Sequence, residues 1–431
     1  MLTHNSYSLP SGIKVITIPL PVESLTTLAL VNTGSRYEKP EQEGIAHFFE
    51  HVVFKGTKNY PSQSDLATTL DSVGAEYNAF TSKEYTGFYI KAASSYVKLS
   101  LDVLTDMLFT SVLKEGDIER EKGVIIEELN MYRDMPASYV GDLFDNLTYA
   151  GTSLAHDIIG NKKTIKSFTC NDFRVFLREW YQPHNIQFVF AGNKKTLEKM
   201  NVKELLEKTV TEKNQQKNRK SIDTSPFLVD NPLSKKRILI KERACEQAHL
   251  ILGWPGLKRS SKRRYSLMVL SMLLGGNMSS RLFEEVRNKR GLCYYVHSLV
   301  DQHHDGGIIG AAAGVDSNRV DEAITVIMDE FFALANTKKP TSKEVEKAKE
   351  SIIGRMILSF EDTRNVAQFF GLRQLLLGKA ESPEIIIKKI KQVSTADIIH
   401  LAEELFQHGE TRLALIGPYK NKEKFNILLN K

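Results

Sequence analysis

His47, Glu50 and His51 fall within little more than one turn of the stretch Gly44-Ile-Ala-His-Phe-Phe-Glu-His-Val-Val-Phe-Lys-Gly-Thr57. Residues four apart on a helix lie one above the other, so the imidazoles of His47 and His51 share a face and can hold one metal ion between them. Glu50 lies on that same face. A metal such as zinc lowers the pKa of a water molecule to roughly 7, and a neighbouring carboxylate can then take its proton, yielding a nucleophile at neutral pH. The chemistry this predicts is hydrolysis. The plainer alternative is a helix with two incidental histidines. With 11 histidines in 431 residues, H-x-x-E-H arises by chance in roughly 2% of such chains, so the motif needs support from elsewhere.

The flanking residues favour a helix. Ile45, Phe48, Phe49, Val52 and Val53 give it an apolar stripe, and Lys55-Gly56 reads as a cationic last turn with a glycine stop. A catalytic zinc commonly takes three protein ligands and keeps one position open, so a further ligand must come from another element. Glu128 is the best candidate. It lies in a second helical stretch, from Glu121 to Tyr132, where Glu121 and Glu128 are seven apart and share a face while Glu127 points elsewhere. Glu121 would orient a ligating histidine through that ring's other nitrogen.

On these residues the chain resembles the pitrilysin and insulinase family of inverzincin metallopeptidases, most closely the branch that includes mitochondrial processing peptidase and its bacterial relatives. In that branch 76 residues separate the motif from the third ligand, and 76 lie between His51 and Glu128 here. Glu121 falls where the family has its additional glutamate. The resemblance implies one zinc ion per chain, held by His47, His51 and Glu128, with Glu50 as the general base. It also implies that Asn78-Ala-Phe-Thr81 is an edge strand on which Asn78, Ala79 and Phe80 align a peptide substrate as an added strand, a mode that makes little demand on sequence. Arg287 and Tyr294, seven apart in Ser280 to Tyr295, hold the positions of an arginine and a tyrosine that contact substrate near the metal in the family. A guanidinium suits a peptide carbonyl or carboxylate, and a phenol can donate to an oxyanion.

The elements that must position these residues can be read in order. Tyr7 to Pro19 alternates around the turn Pro10-Ser-Gly12 and predicts a hairpin, and Leu25 to Val31 a strand. Ser64 to Val73 reads as a helix, Ala75 to Thr81 and Glu84 to Ile90 as strands, and Thr164 to Trp180 as one further helix before the strand Ile186 to Ala191. Around 211–236 the pattern dissolves into Lys, Asn, Gln, Ser and Thr, which predicts a linker between a catalytic domain, 1–210, and an accessory domain, 237–431.

The second half repeats the first. Phe188 to Asn193 and Leu413 to Pro418 are similar strand ends, and Thr169 to Asp172 and Ser394 to Asp397 are matching capped helix starts. At the place of the metal helix the second copy, Arg263 to Leu274, has no ligand residues. One copy is therefore read as catalytic and the other as accessory. The fold class expected is α+β, two duplicated domains, each a mainly antiparallel sheet packed on helices. The resemblance implies that such a chain is half of a clamshell, that two chains enclose a chamber, and that the arginine-tyrosine pair acts across it, so a homodimer is the simplest assembly. Two alternatives stay open: a non-catalytic core or assembly subunit, and the catalytic subunit of an obligate heterodimer.

Composition is consistent with a globular protein, at 42% hydrophobic and 26% charged residues. The net charge of +6 is mild, and its basic runs, Lys235 to Arg237 and Lys258 to Arg264, lack aromatic interleaving, so nucleic acid is not an expected partner. No apolar run reaches membrane-spanning length and the amino terminus has no basic start or apolar signal core, giving a cytoplasmic expectation with no membrane partner. Cys170, Cys245 and Cys293 are scattered and read as reduced thiols. His303-His304 is read as solvated loop.

Overall fold

Alternating and apolar runs become strands where β-branched and aromatic residues can pack on a pleated surface. The computed structural model describes residues 2–213, 223, 224, 227 and 234–430. Among these residues β1 (Asn5–Ser8), β2 (Lys14–Leu20), β3 (Ser24–Val31), β4 (Glu76–Thr81), β5 (Thr86–Ala93) and β6 (Ile186–Asn193) form one sheet, in the order β1-β2-β6-β3-β5-β4. A second sheet has β7 (Ile238–Glu242), β8 (Gln247–Pro255), β9 (Cys293–Gln302), β10 (Gly307–Asp316) and β11 (Arg412–Gly417) in the order β7-β11-β8-β10-β9. The pairs β2 with β6 and β7 with β11 run parallel, and the remaining pairs are antiparallel. Without β1, the two orders match strand for strand, which is the duplication the repeat predicts. The matching helix starts are also present as capping boxes, Thr169 with Asp172 and Ser394 with Asp397.

In the first unit the helix that carries the histidine motif is α1 (Ile45–Val52), followed by α2 (Gln63–Asp71), α3 (Val97–Phe109) and α4 (Glu115–Asp134). Ile45, Phe48, Phe49 and Val52 are buried in one core cluster with Phe88, Leu101, Phe173 and Phe188. Phe48 meets Phe173 at 5.1 Å and Phe49 meets Tyr181 at 4.9 Å between ring centroids. Each buried side chain of this size contributes about 1.5–3 kcal/mol, and together they fix which face of α1 is left for chemistry. The other face of the sheet is covered by the helix Thr363–Leu377, whose Val366, Ala367 and Phe370 pack on Ile16, Ile18, Leu28, Leu30 and Val189.

In the second unit α5 (Pro136–Thr148) has the same covering role, with Val140, Leu143 and Phe144 on Ile251, Ile308, Ala414 and Ile416. The compact units therefore differ from 1–210 and 237–431. The first is 1–129, 156–227 and 357–384; the second is 130–155, 228–356 and 385–431. Each half of the sequence lends a helix to the other half's sheet. The expected linker, 211–236, lies for the most part outside the described residues.

Two local readings change. Thr164 to Trp180 is two helices, Lys162–Ser167 and Cys170–Trp180, because Phe168 is extended and Thr169 starts a new cap. His303 is buried, not solvated: its Nε2 lies 3.1 Å from Asp301 Oδ2, and its ring meets Tyr149 edge-on at 5.5 Å. Cys170, Cys245 and Cys293 are free thiols. Among the described residues no helix is long and apolar enough to cross a membrane.

Candidate metal centre

The start of α1 is built by backbone geometry. Gly44 precedes it at φ 94, and a Cβ there would come within 2.6 Å of the Ile159 carbonyl oxygen, so only glycine fits without strain. Glu38 supplies the cap. Its two carboxylate oxygens accept the backbone N–H of Gly44 at 2.8 Å and of Ala46 at 2.9 Å, satisfying groups that a helix start leaves open.

One turn on, the rings of His47 and His51 lie 4.8 Å apart. Glu128, from α4, comes to them with Oε1 3.8 Å from His47 Nε2 and Oε2 3.3 Å from His51 Nε2. One ligand atom from each of the three residues lies within 4.8 Å of the others. Atoms bound about 2.1 Å from a tetrahedral metal stand about 3.4 Å apart, so the nitrogen and oxygen atoms are already near the spacing a zinc-like ion needs. Glu128 Oε2 is buried and faces His51 Nε2 without a well-directed hydrogen bond, which leaves acceptor capacity for a cation between them. Two imidazoles and one carboxylate are a donor set that suits zinc.

Glu121 completes the support. Its Oε1 lies 3.0 Å from His51 Nδ1 and its Oε2 lies 2.7 Å from Lys55 Nζ. With Nδ1 engaged, the lone pair of His51 is left on Nε2, the atom that faces Glu128. Burial opposes charge on His51, but the hydrogen bonds and charges of Glu121 and Glu128 outweigh it and push its pKa up to about 9. Burial, aided by the neighbouring His51, takes His47 down to about 4. Contact with His51 holds Glu128 below the usual carboxylate range. Burial raises Glu50, and a hydrogen bond from the Thr81 hydroxyl to Glu50 Oε2, 2.6 Å long, works against that rise.

His47, Glu50, His51, Glu121 and Glu128 are thus brought together as the spacing predicts. Asn78 is also near: with Glu50, His51, Phe54, Lys55 and Tyr77 it lines a cavity of about 330 Å³. β4 is an edge strand, paired to β5 alone among the described residues. Within it Ala79 is buried and its N–H donates to Asn78 Oδ1 at 2.9 Å, while the Phe80 ring packs toward the opposite core cluster, away from the metal residues. Arg287 and Tyr294 belong to the second unit. Arg287 sits in a π-helical turn, Phe283–Asn288, with its guanidinium 4.8 Å from the Phe283 ring and 5.5 Å from that of Tyr294, which is 73% exposed near the start of β9.

Sequence reasoning did not reach Lys55, Glu38 or the role of Thr81. Strand parity was the signal available for Thr81, since Tyr77, Ala79 and Thr81 share one side of β4. Nothing local marks Glu38, whose cap spans a turn.

Three candidate ligands with a carboxylate beside them have the form of a metallohydrolase centre. Family comparison agrees with that class. A model described as Insulinase (Peptidase family M16) matches residues 14–162, and one described as Peptidase M16 inactive domain matches residues 167–352. The chain is 35% identical over 418 residues to the Bacillus subtilis protein named uncharacterized zinc protease YmxG, across 96% of this chain and 98% of that one. It is 31% identical over 416 residues to an uncharacterized zinc protease of Rickettsia bellii, across 96% and 97%. A protease from Helicobacter pylori shares the fold, with a TM-score of 0.87 at 24% identity over 97% of this chain and 100% of that one. The chain belongs to the M16, or insulinase, family of peptidases.

Proposed function

We propose that the chain is a zinc metalloendopeptidase of the processing-peptidase branch that cleaves short or unfolded polypeptides. The observation that carries this reading is the convergence of His47, His51 and Glu128 within 4.8 Å, with Glu50 beside them on α1. That these relatives are named zinc proteases supports zinc as the metal, and the spacing of 76 residues supports the branch.

Zinc held there would acidify water and stabilise the charge that develops on a peptide carbonyl. Glu50 takes the proton from the attacking water and delivers it to the departing amine; its burial raises its pKa above the ordinary carboxylate value, which makes it a stronger base. His51 is kept in the right tautomer by Glu121. Asn78, Ala79 and Phe80 lie on the free edge of β4, to which an extended peptide adds as a strand once Asn78 Oδ1 releases the Ala79 N–H. A partner copy contributes Arg287 and Tyr294 to the carbonyl region, in a homodimeric chamber that admits extended chains and excludes compact folds.

Cleavage of a mixed peptide library, with and without a zinc chelator and with Glu50→Gln in parallel, tests the central reading. Chelator-sensitive cleavage restored by zinc and absent from Glu50→Gln supports it; a zinc-loaded wild type that cuts nothing overturns it. Mixing Glu50→Gln with Tyr294→Phe subunits tests the shared site, since hybrid dimers should regain one intact centre. Activity no higher than either parent counts against sharing.

A further inference from the structure

The last residue of β4, Thr81, donates its hydroxyl to Glu50 Oε2 at 2.6 Å. This contact joins the two elements that the proposed reaction must coordinate. α1 carries the base, and β4 carries the free edge to which substrate would add.

We infer that Thr81 is a positioning residue that fixes the Glu50 carboxylate for proton transfer and ties its orientation to the strand on which substrate is seated. The inference rests on the hydrolase reading. A glutamate side chain rotates about three bonds, and the transfer needs one oxygen held within about half an ångström of its productive place. Thr81 occupies Oε2, which leaves Oε1 to meet the water proton. The threonine is itself held: its β4 neighbours Tyr77 and Ala79 pack into the same core as α1, and Thr81 is paired across the sheet with Thr86. Thr86 is buried and donates its own hydroxyl to the Thr33 carbonyl. The hydroxyl is thus delivered from a rigid strand. Any shift of β4 as a peptide pairs with it moves the partner of Glu50 by the same amount, so register on the strand and aim of the base are set together.

Thr81→Val removes the hydroxyl while keeping shape and strand preference, and Thr81→Ser keeps the hydroxyl while removing the methyl. With a peptide that the wild type cleaves, Thr81→Val should lower kcat about 10–100-fold with KM within about twofold of wild type. Its zinc content should equal that of wild type, and Thr81→Ser should recover most of the rate. Thr81→Ala repeats the test with a second hydroxyl-free side chain in case the valine does not fold. Wild-type kcat in the hydroxyl-free variants overturns the inference. So does an equal loss in Thr81→Ser, which would assign the effect to packing, or loss of zinc from Thr81→Val, which would assign it to the ligands. If the zinc-loaded wild type cleaves nothing, the hydrolase reading itself falls, and this inference with it.

Discussion

Glu121 stands 3.0 Å from His51 Nδ1 and is held from its other side by the Lys55 ammonium at 2.7 Å. The chain of contacts runs from a cation through a carboxylate to an imidazole of the candidate metal centre, an arrangement that would keep the charge of Glu121 in place to polarise the ring. Replacing Glu121 by Gln should weaken zinc binding about 10–100-fold. Lys55→Ala should move affinity the same way by less. Competition against a chromophoric chelator measures both, and unchanged affinity in Glu121→Gln would remove the supporting role.

Zinc capture should depend on pH with a definite sign. Ligating imidazoles must be neutral, and in the metal-free chain His51 titrates at about 9 and His47 at about 4. Below about pH 9 zinc has to displace one proton from His51, while His47 is ready. Apparent affinity therefore rises about tenfold per pH unit through neutrality and levels near 9, with about one proton released per ion at pH 7. Calorimetry in buffers of different ionisation enthalpy counts that proton; an affinity that is flat through neutrality contradicts the scheme. Because the folded pKa of His51 lies above its ordinary 6.5, its partners stabilise the metal-free fold fully below that value. The contribution is lost as pH rises through about 9.

Glu50→Gln keeps the shape of the side chain and removes the carboxylate proposed as the base. Turnover should fall by about 10²–10⁴-fold or more while one zinc per chain is retained. Metal analysis beside the peptidase assay checks this, and loss of zinc would mean that Glu50 supports the ligands instead.

Two glycines should respond in opposite directions. Gly44→Ala places a Cβ 2.6 Å from the Ile159 carbonyl at φ 94, so it should cost about 1–3 kcal/mol and loosen the start of α1, reducing zinc affinity as well. Gly123→Ala lies inside α4 with nothing within 4 Å of the new methyl and should stabilise by about 0.5–1 kcal/mol. Thermal unfolding of both variants gives the comparison; equal Tm values would defeat it.

Much of this centre was legible because its code is local. His47, Glu50 and His51 share one helical face by spacing alone, and Glu121 and Glu128 share another. The edge position of β4 followed from the family resemblance, while the duplication was visible in the capped helix starts and strand ends. What escaped depended on pairing across distance. Glu38 caps a helix it does not adjoin, and Lys55 joins the site because a 3-10 turn, Val53–Lys55, brings it back over α4. His303 lies in the loop between β9 and β10, as the sequence suggests, but a histidine pair in sequence carries no sign that one member is buried edge-on against Tyr149. The change of composition around 211–236 marks one limit of the compact units but not the rest, because burial follows the apolar faces of the sheets.

The exchanged helices also bear on how the chain is made. When a ribosome has released residues 1–210, the strands of the first sheet exist, but the helix Thr363–Leu377 that shields Ile16, Leu28 and Leu30 has yet to be synthesised. That apolar face lacks its cover until the helix Thr363–Leu377 has emerged. The order of translation thus withholds a finished first unit from a truncated nascent chain.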